Sequence, residues 1–92
     1  MKQLNYEYLP EHMQGQMRRY MEEGINPGNF LQAILANDLA AASYYADDIN
    51  KHEFFCYGVF LMNEAPVGSW GNIETTLAWM EKGGMSGIDK AS

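Results

Sequence analysis

The sequence predicts an all-α fold: a single domain of four to five short helices around a central apolar helix. Three observations predict it. Leu9, Met13, Met17, Tyr20 and Met21 recur at i, i+4, i+8, i+11 and i+12, one stripe of a helix. Stop and start signals punctuate the chain at Gly24, at Asn37-Asp38, at Asn72 and at Gly83-Gly84. Phe54 to Met62, FFCYGVFLM, is apolar nearly all round, which marks a helix covered on several sides. Ninety-two residues make one domain, and a chain this short buries only roughly 60–65% of its unfolded surface, so its core must be filled efficiently.

In chain order, Met1 to Tyr8 is a polar lead-in with two tyrosines. Leu9-Pro10 opens the first helix, since a first-turn proline loses no hydrogen bond. Gly24 ends that helix as a C-cap glycine. Ile25-Asn26-Pro27-Gly28-Asn29 is a turn in which proline presets φ and glycine accepts positive φ. Either Asn26 or Asn29 caps the helix that follows. Phe30, Leu31, Ile34 and Leu35 form its inner face, and Phe30, Leu31 and Ile34 are expected against the Phe54–Met62 segment. Asn37-Asp38 interrupts this region, with Asp38 placed to cap an Ala-rich piece, Leu39 to Ala46. Residues 27–46 therefore form two short helices with a bend or one continuous helix.

Asp47 or Asp48 caps the apolar segment that follows, a helix by its leading DDINKHE, with a buried strand as the alternative. Gly58 within it predicts a close helix crossing, because glycine there costs roughly 1 kcal/mol against alanine. APVGSWG, Ala65 to Gly71, is a second structured loop. Asn72 caps a last helix, Ile73 to Lys82, whose inner stripe is Ile73, Leu77 and Met80 with Trp79 beside it. The helical domain spans residues 1–84, and 85–92 is expected as a flexible C-terminal tail.

Charge and composition exclude several functions. From Tyr20 to Glu81 there are nine acids and one base, Lys51. Direct nucleic-acid binding needs clustered Lys and Arg, so it is not expected. An acidic surface favours a basic partner or plain solubility. The single cysteine, Cys56, excludes an internal disulfide. There is no signal-like start and no apolar run of membrane-spanning length, so the expected setting is a cytoplasm.

No arrangement of residues points to catalysis or a metal. His52 and Cys56 are four apart, but a structural zinc site needs four ligands and no Cys-x-x-Cys completes one. Asp48, His52 and Cys56 form a row along one helix face, which cannot converge on a substrate as a catalytic triad does. Glu22-Glu23 and Asp47-Asp48 sit at helix ends, where capping and solubility account for them. The NPGN and PVGSWG loops each lead into a helix N-terminus that attracts anions. Trp70 offers a ring for stacking and Arg18 or Arg19 a cation for phosphate, though turns of this kind are ordinary and Trp70 also suits a core cap.

The pattern MQGQMRRYMEEGINPGNFLQAILANDLAAASYYADDIN, followed by FLMNEAPVGSWGN and LAWMEKGG, resembles a group of small bacteriophage and prophage accessory proteins. The likeness spans roughly Leu9 to Gly84. Its distinctive parts are Arg19-Tyr20, Gly24 to Leu31, Asn37-Asp38-Leu39, and Asn63 to Pro66 with Trp70-Gly71. No catalytic residue carries over. The resemblance implies an accessory protein acting in the host bacterial cytoplasm, and by analogy of class an anti-defence inhibitor of the anti-CRISPR kind.

The expectation is a non-enzymatic protein that binds and inhibits a host defence or regulatory protein, itself bearing a basic surface. The alternatives are a sponge for a nucleotide immune signal, or a structural or packaging accessory of the phage. Candidate binding residues are Arg18, Arg19, Asn29, Asn37, Asp38, Asp47, Asp48, Glu64 and Trp70. No cofactor, metal or membrane partner is expected, and a homo-oligomer is possible.

Overall fold

The computed structural model describes residues 3–52 and 54–91. It is all-α, one domain, with no strand among the described residues. Among the described residues a 3₁₀ turn, Tyr6–Tyr8, is followed by seven helical segments: α1 (Glu11–Glu23), α2 (Asn29–Leu35), α3 (Leu39–Tyr45), α4 (Asp48–His52), α5 (Phe54–Asn63), α6 (Ile73–Lys82) and α7 (Gly84–Ala91). Residues 27–46 form two helices, and the C-terminal segment, expected as a tail, forms one more.

The first helix follows its periodicity. Met13, Met17, Tyr20 and Met21 are all buried. Gly24 closes α1 in the left-handed conformation at φ 70°, and the Ile25 N–H donates back to the Arg19 carbonyl at 3.3 Å, a Schellman-type end. The turn that follows differs from expectation. Asn26 Oδ1 accepts from the Gly28 N–H at 2.9 Å, so its side chain closes the turn instead of capping the helix. Gly28 occupies the cap position at φ 94°, with no side-chain cap, and Asn29 is the first helical residue. Positive φ there selects glycine over either asparagine.

In α2, Phe30, Leu31, Ala33, Ile34 and Leu35 are buried, five of its seven residues. The helix lies against α3 and α6, and the Phe30 ring meets Phe54 and Tyr57 of α5 edge-on at centroid distances of 5.9 and 5.2 Å. The expected contact between Phe30 and the Phe54–Met62 segment is present. Asn37 then turns left-handed at φ 61°, and Asp38 Oδ1 accepts from the Ala41 N–H at 3.1 Å. That bend makes two helices of residues 29–45. Asp47 caps α4, its Oδ1 accepting from the Asn50 N–H at 2.7 Å.

Phe54–Asn63 is the expected helix and not a strand, but the helix is not central. Only Tyr57, Phe60 and Leu61 of α5 are buried, while Phe55 is 82% and Met62 77% exposed. A Cβ at Gly58 would meet no heavy atom within 4 Å, so the expected close crossing is absent. The element covered on several sides is α2. A chain of this length has too little surface to enclose two apolar helices completely.

The last helices also depart from expectation. Asn72 caps α6, its Oδ1 accepting from the Thr75 N–H at 2.8 Å. Inside, however, lie Thr76 and Trp79, while Ile73 and Leu77 are 44% and 49% exposed. Trp79 carries both the largest surface and an N–H that must be satisfied when buried; its Nε1 donates to the Tyr20 carbonyl at 3.0 Å, which sets the helix rotation. The segment expected as a loose tail from residue 85 is the helix α7, docked on α1, with Met85 buried; Ser92 lies outside the described residues. Its approach depends on glycine. A Cβ at Gly24 would stand 2.8 Å from Gly83 Cα and from the Gly84 nitrogen, and one at Gly84 would stand 2.7 Å from the Gly24 nitrogen.

Candidate functional site

An apolar-lined concavity lies between α2, α3 and α5. Ala33, Ile34 and Ala42 form one wall, Phe54, Tyr57, Gly58 and Leu61 the other, and Asn37, Asp38 and Leu39 its lip. It encloses about 160 Å³. Local rules shape it. Asn37 reverses the chain in a conformation that asparagine tolerates better than most residues. Asp38 starts α3 beside the reversal, and small Ala42 and Gly58 leave space where larger side chains would close it.

Apart from Asp38 at the lip, the helices bordering this groove carry no charge. Neither LAAASYY of α3 nor FFCYGVFLMN of α5 contains a charged residue. Leu39 at the lip is 69% exposed, and Phe55 and Met62 stand out from α5. Asp38 is the one charged residue in the groove lining. Glu64 follows the C-terminal end of α5, and Asp47 and Asp48 stand at the start of α4. The sequence marks Asn37 and Asp38 but not the apolar residues beside them. The available signal is the absence of charge from LAAASYY and from FFCYGVFLMN.

The remaining candidates are distributed elsewhere. Arg18 lies over the Tyr6 ring at 5.1 Å, with its Nε 3.9 Å from Glu22 Oε2. The Tyr6 hydroxyl donates to that same oxygen at 3.1 Å; burial, then this hydrogen bond, pushes the Tyr6 phenol well above its ordinary pKa. Arg19 folds back along α1 over Gly15. Glu64 Oε1 accepts from the Asn5 N–H at 2.9 Å and so ties the N-terminal turn to the end of α5. Trp70 is half-buried and packs on the core.

A second, more polar cleft of about 350 Å³ brings Asn29 and Asp47 together with His12, Gln16, Tyr45 and Asn50. Here His12 Nε2 stands 3.2 Å from Asp47 Oδ2. The Asn50 N–H holds the Asp47 carboxyl below the usual carboxylate range; desolvation opposes it, and His12 adds to the lowering. Arg18, Arg19 and Trp70 do not line this cleft, so the residues expected to hold a nucleotide are not gathered in it.

The PVGSWG loop is a structural receiver. The Tyr20 hydroxyl, fully buried, donates to the Ser69 carbonyl at 2.6 Å, and the Gly71 N–H donates to the Leu35 carbonyl at 2.8 Å. Burial raises the Tyr20 phenol well above its ordinary pKa, so it remains a neutral donor. The Tyr57 hydroxyl donates to Asn50 Oδ1 at 2.6 Å, another buried polar pair.

Among the described residues, no three His, Cys, Asp or Glu side chains gather as a metal site would, and no helix is long and apolar enough to cross a membrane. The side chain of His52 lies outside the described residues, and with it the geometry of the Asp48, His52 and Cys56 row. Searches against protein-family models, curated proteins and solved structures find no match to this chain.

Proposed function

We propose that this chain is a non-enzymatic bacteriophage accessory protein that binds and inhibits a host defence or regulatory protein in the bacterial cytoplasm, in the manner of an anti-CRISPR inhibitor. One observation carries the binding part of this reading: an uncharged apolar surface on α3 and α5, with a groove at its centre, on a molecule of net charge −6. Scattered exposed apolar side chains are normal, whereas a patch around a concavity supports a protein contact. The acids outside it speed association with a basic target and discourage acidic ones. The phage and anti-defence parts rest on the sequence resemblance alone.

The test is capture from bacterial lysate by the tagged full chain at low salt, identification of the captured protein, and assay of that protein's activity with and without the chain. The expected result is one dominant partner with a basic surface, retained less well as salt rises and inhibited at stoichiometric addition. Failure to retain any partner at low salt would overturn the reading, and so would capture without inhibition.

A further inference from the structure

The chemistry of the partner's contact follows from the size and surroundings of the groove. We infer that it seats one large apolar side chain from an amphipathic partner helix whose flanks are basic; this deepens the binding reading above and rests on it. The volume decides the first part. About 160 Å³ compares with the roughly 150 Å³ apolar cavity that holds a benzene ring, and falls below the roughly 300 Å³ at which small-molecule sites begin. One phenylalanine or leucine side chain fills the groove; a nucleotide does not.

The frame decides the second part. Two helices, α3 and α5, border the groove, and a third helix laid along such a channel brings residues at i, i+3, i+4 and i+7 onto one apolar face. With its anchor beside Gly58, the neighbouring positions meet Leu39, Phe55 and Met62, all exposed. Anchors of this kind, set in a pocket and ringed by weaker contacts, carry most of the energy of an interface.

Charge decides the third part and selects among occupants. Asp38 is at the groove itself, and from Tyr20 to Glu81 nine acids face one base. A second copy of this chain would set a net charge of −6 against the same charge, and a two-fold contact would bury the same patch, Asp38 included, on both copies. A helix with Lys or Arg beside its apolar stripe meets none of that repulsion. It gains from Asp38 at the lip and from the acidic field around it.

The test is an NMR titration of the isotope-labelled full chain with a synthetic amphipathic helical peptide carrying one Phe anchor and Lys flanks. Shifts are expected at Ile34, Leu39, Ala42, Gly58 and Leu61. Replacing the peptide's Phe with Ala should weaken binding by about tenfold or more, and replacing its Lys residues with Glu should abolish it. Asp38→Asn should weaken binding while preserving the fold, since asparagine caps a helix as well as aspartate does. Gly58→Leu, which enters open space, should fold normally and lose the peptide; Gly58→Ala should keep it.

Equal binding of Lys- and Glu-flanked peptides, shifts confined to another surface, or no binding by the Phe peptide would each overturn the inference. Groove shifts that grow with protein concentration alone would overturn it in favour of a second copy. Capture of the same lysate partner by Gly58→Leu as by the natural chain would remove the groove while leaving the binding reading intact. Loss of all capture by the natural chain would remove that reading itself.

Discussion

Phe30 and Asn29 are neighbours in sequence with opposite fates, and they show what single residues contribute. Phe30 is buried and meets two rings of α5, so Phe30→Ala should cost about 3–5 kcal/mol. Asn29 is exposed and caps nothing, so Asn29→Ala should stay within about 0.5 kcal/mol of the natural chain. Urea denaturation of the two variants checks the pair; similar midpoints would mean that Phe30 is not a core residue. Gly24 is constrained twice, by its φ of 70° and by the Gly83 and Gly84 backbone 2.8 Å from any Cβ placed on it. The conformation alone costs a non-glycine residue of order 1–3 kcal/mol, and the clash adds to that. Gly24→Ala should therefore lower the thermal midpoint more than Gly15→Ala, whose Cβ would meet only the flexible end of the Arg19 side chain at 3.3 Å.

At the scale of elements, α4 and α5 respond to different variables. Asp47 begins α4 and has a lowered pKa, first through the Asn50 N–H and then through His12. A lowered folded-state value means that the stabilisation is fully present above the carboxyl's unfolded pKa of about 3.9. It is lost as pH falls through the lower folded value. Asp47→Asn keeps the cap but removes this proton linkage. Its stability relative to the natural chain should be constant near neutrality, and the gap should close as the pH drops below about 4; urea midpoints measured across that range check the sign. In α5, Gly58 sits in a helix with open space around its missing side chain. Gly58→Ala should raise stability by about 0.5–1 kcal/mol through helix propensity alone. A fall in the melting temperature instead would show that a close contact at Gly58 had been missed.

For the molecule as a whole, the test is whether α7 belongs to the cooperative unit. The helix docks on α1, buries Met85, and fits because Gly24 and Gly84 let backbones meet. A chain ending at Gly84 should lose that cover over the end of α1 and melt at a lower temperature than the full chain. Unchanged melting would return residues 85–92 to the role of a tail. The groove site is a whole-molecule property too, since its walls come from three helices separated along the chain.

The sequence by itself determined the class of fold, the helix ends at Gly24, Asp38, Asn72 and Gly83, and the acidic character. Each of those ends is a local hydrogen bond or a local backbone preference, so a few neighbouring residues contain all the information required. It also marked Asn37 and Asp38, which belong to the groove. Only the tertiary structure decided which faces turned inward. Trp79 displaced Ile73 and Leu77 because its ring and N–H found Tyr20. Gly24 and Gly84, far apart in sequence, admitted α7, and α2 took the covered position that the composition of α5 had suggested for α5. The physical reason is competition: helices with comparable apolar surface share a limited covering area, and long-range fit decides which is enclosed and which remains available to a partner.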